Sequence, residues 1–487
     1  MGAPQVTRLT PYPYQETDIA RFIEAGGVGL LNACPGAGKT LVATEIVHRM
    51  KAGVTLIIAP LSTHNTAWAE TVKGQTGQDI RKIGNGTKAE KAALFEMELG
   101  YPGYYITTPQ FMTRQDTDNW TLDALVCDEI HQYTAPSTKG LNKLKKITAP
   151  IRIAMSGTPA RNHFANLYGV CTFLWPERRM PSDISDSNFS RWQRERMESR
   201  KIWTKDRNGE PKQVEIFDTE RVPGDLLRRM PLQVSHYARE RCCDAPEHAN
   251  GVLGHLAEPI VMKETIALRP EQKRVIKDME TTMVTFLEDN PMIAEIPLTA
   301  QQRIRQAILG QPDVEWTVDE NGEEVQTVSF RDDCASPFLD RTMEILEDLG
   351  DEPVIIWTDS AKFAKVTVNR LNKAGIKTDQ YTGARKADLS GFGKDYRILV
   401  AVTSSFGTGS DGAQRVCSNE IWLSRDLDRT TTHQAEARLM RNGQKFTVRR
   451  WILWDDLGIA EGNYGTAVAK QLELNRSLRV DSAAETA

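Results

Sequence analysis

The sequence has no excess of charge of either sign, no long apolar run, no paired cysteines and no internal repeat, and each deficit closes off a class of protein. Its 61 basic and 65 acidic side chains leave a formal charge of −4 over 487 residues. Nucleic-acid binders usually carry a basic excess, so the whole-chain charge argues against one. The figure is a mean, however, and a basic cleft is compatible with acidic outer faces. No stretch approaches the roughly 18 to 20 uninterrupted apolar residues that a membrane helix needs. The opening MGAPQVTRLT lacks the basic-then-apolar order of a signal peptide, and Val6 stands where a myristoylation motif wants Ser or Thr. A soluble, cytoplasmic chain with no membrane partner is expected. The seven cysteines (34, 127, 171, 242, 243, 334 and 417) are odd in number, scattered and without a C-x-x-C pair. Reduced thiols fit that pattern better than a disulfide framework or a zinc site. What remains is ordinary globular material, 40% hydrophobic, long enough for about two to four domains.

Strand-like and helix-like patterns alternate through the first third. Apolar runs at 28–32, 54–60, 104–108, 122–127 and 151–156 predict strands, and helical spacing from Thr40 to Met50 is closed by Gly53. The rhythm returns after Phe338. Helices are expected over 339–349 and 363–374, with strands at 354–357, 398–403, 420–423 and 447–454. Such alternation argues for parallel sheets covered by helices. Between 181 and 337 the pattern is irregular. Two hairpins are expected there, over 201–217 and 314–330, turning at Asn208-Gly209 and Asn321-Gly322. The second is acidic. Helices are expected at 269–280 and 299–309, and a short, fraying helix after Gln471.

The strongest chemical signal is ACPGAGKT, Ala33 to Thr40, between an apolar strand and an amphipathic helix. A phosphate-binding loop needs glycines so that successive backbone N–H groups turn inward around a polyanion. It also needs a Lys for the β- and γ-phosphates and a hydroxyl for Mg²⁺. Pro35, Gly36, Ala37, Gly38, Lys39 and Thr40 meet those demands, although Ala33 replaces the usual first glycine. The helix start adds its positive dipole end. The bland alternative is a Gly-rich strand-to-helix turn. A second signal, LVCDEIH, ends another apolar run. There Asp128 suits a Mg²⁺ ligand and Glu129 a group that orients and deprotonates water. Two acids after a strand are common alone; after such a loop they are not.

With these motifs the chain resembles the superfamily-two helicases and translocases, and within them the Swi/Snf-like group. DEIH is similar to the superfamily's Asp-Glu-x-His box, and SGTPARN (156–162), continued by NLYGVCTFLWP, to the third motif. LIIAPLSTHNTAW (56–68) and ITTPQFM (106–112) resemble strand-gripping motifs, and PYQ (13–15) the adenine-reading motif. VIIWTDS (354–360), TSSFGTGSDGAQ (403–414) and HQAEARLMRNGQ (433–444) resemble motifs four, five and six. Ala437 stands where glycine is usual, Asp411 where Asn is more common, and Ser336-Pro337-Phe338 departs from the usual Ser-Gly/Pro-Lys.

The resemblance implies an α/β fold of two RecA-like parallel-sheet lobes in tandem, with an ATP cleft between them and hairpin insertions at the junction. Residues 1–180 would be the first lobe, 181–260 a junction with a hairpin, 261–475 the second lobe with the acidic hairpin, and 476–487 a frayed tail. It implies ATP and Mg²⁺ as cofactors. Gln15 would meet the base, together with Gly409 and Asp411 as nucleotide contacts, and Thr40 and Asp128 would hold the metal. Lys39, Asp128, Glu129, Gln434, Arg438 and Arg441 would carry catalysis. Arg438 and Arg441, three residues apart, would share one helical face. Ser156 and Thr158 would couple nucleotide to the strand grip. Ser62, Thr63, Thr108 and Thr403 would touch nucleic acid. The implied activity is ATP-driven translocation along nucleic acid, double-stranded DNA above others. A strand-separating DNA or RNA helicase and a nucleotide-binding scaffold with little turnover stay open beside it. The compact length, with no chromo-, bromo- or ring-type segment visible, suggests a bare motor of viral or bacterial origin that a protein partner targets; a monomer is expected.

Overall fold

The computed structural model describes residues 8–135, 138–161, 163–176, 188–205, 210–236, 251–287, 290–318, 322–407 and 412–478, without the side chains of Lys205 and Glu473. Asn162, Asn208, Gly209, Cys242, Cys243, Asp319 to Asn321, Gly409 and Asp411 therefore lie outside the described residues. The chain divides into two compact units, one running to His255 and resuming at Ala469, the other spanning Leu256 to Val468. Among the described residues no helix is long and apolar enough to cross a membrane.

The first unit opens with helix α1 (Pro13–Glu24), strand β1 (Val28–Ala33) and helix α2 (Lys39–Arg49). Strands β2 (Val54–Ile58), β3 (Ile80–Lys82), β4 (Gly103–Thr107), β5 (Ala124–Cys127) and β6 (Ile151–Ser156) follow. A hairpin, β7 (Met197–Lys205) with β8 (Pro211–Glu220), precedes β9 (Gln233–His236). Seven strands form one sheet in the order β3-β4-β2-β5-β6-β1-β9, and every pairing is parallel. All residues of β2, β4, β5 and β6 are buried. Both faces of a parallel sheet are covered, which is why these strands read as continuous apolar runs rather than alternations.

Trp192, Met197, Leu226, Leu227 and Met230 pack into the same core, and Trp192 stacks on Phe164 with ring centroids 5.7 Å apart. The segment expected as a separate junction thus contributes its described part, up to residue 255, to the first unit.

The second unit holds β10 (Ile260–Ile266), two hairpins, and the strands of a second sheet. The hairpins are β11 (Val284–Leu287) with β12 (Asn290–Ile293) and β13 (Asp313–Val318) with β14 (Glu324–Ser329). The remaining strands are β15 (Val354–Thr358), β16 (Thr378–Tyr381), β17 (Ile398–Val402), β18 (Asn419–Trp422) and β19 (Arg449–Asp455). They pair in the order β10-β19-β18-β15-β17-β16, again wholly parallel. One wholly parallel sheet in each unit is what the expected two-lobe α/β fold requires.

Both expected hairpins form, while their expected turns at Asn208-Gly209 and Asn321-Gly322 fall wholly or partly outside the described residues. Lys205 pairs with Pro211 and Val318 with Glu324, leaving residues 206–210 and 319–323 between the strands. In the second hairpin the register is set by packing, because Val314 and Val328 face each other and are both buried. A one-residue slip would turn them to solvent. The terminal helix also differs from expectation, running from Ile459 to Leu478 rather than starting after Gln471.

Candidate active site

The loop after β1 is shaped by two glycines in left-handed geometry, Gly36 at φ +88° and Gly38 at φ +78°. An L side chain is strained there, and at Gly38 a Cβ would also lie 2.3 Å from Gln15 Nε2. Lys39 begins α2 and folds back over the loop, donating to the carbonyls of Ala33 (2.7 Å) and Cys34 (3.3 Å). No acid occupies the first turn of α2, so nothing in that turn neutralises its positive end. Gln15 is buried. Its Nε2 donates to Ala37 O (2.9 Å), and its Oε1 accepts from the Tyr12 N–H (2.8 Å). Pro35, Ala37 and Thr40 lie in the same loop and helix start.

Strands β5, β6 and β1 are neighbours, so the segments leaving their carboxyl ends converge. This is where open parallel sheets place ligands. Asp128, the first residue after β5, is buried. Its Oδ2 accepts from Trp68 Nε1 (3.1 Å) and its Oδ1 from the Glu129 N–H (3.0 Å). Burial, with the neighbouring Glu129 charge, pushes its pKa up to about 6, against the pull of Lys39 and the Trp68 hydrogen bond. Two acids in so dry a place are short of positive charge, which suits a divalent cation. Among the described residues, no cluster of three or more His, Cys, Asp or Glu could hold one unaided.

Glu129 adopts a left-handed conformation, φ +48°, uncommon for a non-glycine residue. Its Oε2 lies 3.3 Å from His131 Nδ1, which also meets Ser156 Oγ at 2.8 Å. Ser156 Oγ in turn accepts from the Thr158 N–H at 3.0 Å. The acidic box after β5 is thereby wired to the Ser-Gly-Thr segment after β6. His131 and Trp68 belong to motifs visible in the sequence, yet reading roles from spacing leaves both unassigned. The Thr158 hydroxyl is buried and has no partner among the described residues.

The expected strand contacts of the first unit are placed less decisively. Ser62 and Thr63 form a single turn after β2, with Thr63 Oγ1 donating to Pro60 O (2.8 Å). Thr108 uses its hydroxyl to cap the turn Pro109–Met112, accepting from the Phe111 N–H (3.3 Å).

In the second unit Thr403 follows β17 and is fully buried; its hydroxyl has no partner among the described residues. Gln434 is buried in the helix Arg429–Glu436. Arg438 and Arg441 do not share a helical face, because that helix ends at Glu436 and both follow in turns. Arg438 is buried and donates from Nε to Gly407 O at 3.1 Å. A charge-assisted bond of this kind is worth about 1.5–3 kcal/mol, more than the few tenths per residue that helix propensity offers here. Arg441 Nε donates to Ala437 O (2.9 Å). The segment resembling motif six is thus tied to the one resembling motif five within one unit.

Residues 8–161, which carry the loop, the acidic box and most of the Ser-Gly-Thr motif, match the family described as type III restriction enzyme, res subunit. Chromatin remodeling 24 of Arabidopsis thaliana is 23% identical over 410 residues, covering 74% of this chain and 36% of that protein. Over most of its length the chain is similar to chromatin-remodelling proteins of the kind its motifs resemble. Chromodomain-helicase-DNA-binding protein 1-like of Danio rerio is 22% identical over 404 residues, 79% of this chain and 35% of its own length. The ISWI chromatin-remodeling complex ATPase ISW1 of Saccharomyces cerevisiae is 26% identical over 197 residues, 38% of this chain and 17% of its own. The chain therefore spans about a third or less of these relatives. A solved Sulfolobus solfataricus SWI2/SNF2 ATPase core in complex with double-stranded DNA covers 98% of both chains at 18% identity, with a TM-score of 0.38.

Proposed function

We propose that this Swi/Snf-like chain is an ATP-dependent motor that moves along double-stranded DNA. The observation that carries this reading is the convergence of Lys39, Asp128, Glu129, Ser156 and Thr158 at the ends of three adjacent strands. In this reading the backbone of Pro35 to Gly38 and the Lys39 ammonium take the phosphates, and Gln15 meets the base. Thr40 and Asp128 would hold Mg²⁺, which neutralises charge developing on the transferred phosphoryl group. Glu129 orients and deprotonates the attacking water, with His131 holding its carboxylate in place.

Gln434, Arg438 and Arg441 are assigned to the nucleotide from the second lobe, as are Gly409 and Asp411. An arginine supplied to a phosphoryl-transfer site is worth roughly 10³ to 10⁵ in rate. Ser62, Thr63 and Thr108 would meet phosphates of the track and Thr403 would act from within the second lobe. Phosphate contacts carry no sequence information, which suits a tracking motor. Double-stranded DNA is favoured because the relatives that span most of this chain are described as chromatin-remodelling and DNA-binding proteins.

The test is an ATPase assay across single- and double-stranded DNA and RNA. Duplex DNA should raise turnover severalfold, and added salt should reverse the gain through counterion uptake. Lys39→Ala and Glu129→Gln should each reduce turnover at least about a hundredfold, the latter while retaining ATP binding. Triplex displacement without strand separation distinguishes a translocase from a helicase. Turnover indifferent to every polymer would overturn the motor in favour of a scaffold.

A further inference from the structure

Strand β9 extends the first sheet beyond β1, and His236 is its last residue. Its position brackets the phosphate-binding loop from both ends. At the loop's start, the His236 carbonyl accepts from the Cys34 N–H at 2.9 Å. At its far end the link runs through α1. His236 Nε2 is bonded to Asp18 Oδ2 at 2.6 Å, and the His236 ring meets the Tyr14 ring edge-on, with centroids 4.8 Å apart at 62°. Tyr14 and Asp18 are four residues apart on α1, so one face of that helix holds both sides of the imidazole. The Tyr14 hydroxyl then donates to Ala37 O at 2.8 Å, beside the Gln15 amide donating to the same oxygen at 2.9 Å.

Two donors on one carbonyl fix a peptide plane. In a trans peptide the C=O and the following N–H point in opposite directions, so drawing the Ala37 carbonyl toward α1 turns the Gly38 N–H away from it. That N–H belongs to the row a phosphate-binding loop must present inward. Asp18 and Tyr14 are themselves buried, and the opposite ring nitrogen, His236 Nδ1, is buried without a partner among the described residues. Neither Asp18 nor His236 stands in any of the motifs that carry the family resemblance.

We propose that His236 is a positioning residue for the phosphate-binding loop, setting nucleotide affinity by bracing Tyr14 against Ala37 and Cys34 against β9. The inference rests on the nucleotide-site reading above. The test is equilibrium binding of a fluorescent ADP analogue with Mg²⁺ to the full chain, with ATP turnover measured alongside. His236→Ala should weaken binding about tenfold while turnover at saturating ATP stays within about twofold. Asp18→Ala should do the same, and the double variant should lose little more, because the two act as one unit. His236→Phe, which keeps a ring against Tyr14 but not the Asp18 bond, should fall between, and it carries the test if His236→Ala fails to fold. Unchanged affinity in a folded variant would overturn the proposal. So would an equal fall in affinity and saturating turnover that tracks a lowered melting temperature. A wild-type chain that binds no nucleotide overturns the nucleotide site itself, a result distinct from either.

Discussion

Glu436 shows how a single buried charge is kept. Its carboxylate lies 3.0 Å from Arg425, 2.7 Å from Arg429 and 3.7 Å from Arg450. Arg425 is sandwiched by Trp422 and Tyr464, 4.8 and 4.4 Å from their ring centroids. Burial alone would raise the carboxyl, but the three guanidinium charges outweigh it and hold the pKa down to about 2. A depressed acid stabilises the fold above its ordinary value of 4.5 and loses that contribution as pH falls toward about 2. The shift corresponds to something on the order of 3 kcal/mol. Glu436→Gln should therefore destabilise the second unit by about 3–5 kcal/mol at pH 7, because the buried Arg425 and half-buried Arg429 lose this carboxylate while Arg450 keeps only Glu420. The gap between variant and wild type should shrink as pH falls from 4.5 to 2. Denaturant titrations at pH 7 and 2.5 measure this, and a gap that stays constant would refute the account. At this scale the sequence was legible wherever a motif fixes the spacing, as with Lys39, Asp128 and Glu129. It was silent on Glu436 and its arginines, and on His236 and Asp18, because those partners are separated in the chain and meet only through packing.

Elements were most legible where burial makes their composition one-sided. Strand β6 spans 151–156 as the apolar run predicts, and β1, β2, β4 and β5 fall within two residues of expectation at each end. Strands β3, β9 and β16 are only three or four residues long and have no run to detect. Neighbouring strands, not their own composition, recruit them. The helix Asn166–Leu174 carries a further constraint that propensity hides. At Gly169 an added Cβ would lie 2.0 Å from the Thr134 carbonyl oxygen, in the loop that follows the acidic box. Helix propensity alone would favour Gly169→Ala by roughly 1 kcal/mol. A clash with backbone costs about 1–3 kcal/mol in the opposite sense, so the substitution should destabilise the first unit. It should also slow ATP turnover by displacing Glu129 and His131. Thermal melting and steady-state turnover check both, and a variant more stable than wild type would mean that Thr134 yields freely.

Across the whole molecule, the two units are not two consecutive stretches of chain. Residues from Ala469 onward return to the first unit, where Leu474 and Leu478 join its core. Truncating buried leucines costs about 2–5 kcal/mol each. The paired change Leu474→Ala and Leu478→Ala should thus lower the first unit's unfolding transition in calorimetry and leave the second unit's in place. A shift in the second transition alone would contradict the assignment of this segment. The net charge of −4, adverse to a nucleic-acid motor when spread over the chain, includes Asp313, Glu315 and Glu324 on the β13–β14 hairpin. By itself the sequence determined two parallel α/β sheets and which residues the loop and the acidic box carry after their strands. Phosphate binding needs particular residues at close chain spacing, and buried parallel strands need uninterrupted apolar runs. Only the tertiary structure decided that the 188–236 segment completes the first lobe, that Arg438 is held by Gly407 rather than along a helix, and that His236 braces the loop. Those outcomes depend on contacts between distant residues, where packing and burial outweigh local preference by several kcal/mol.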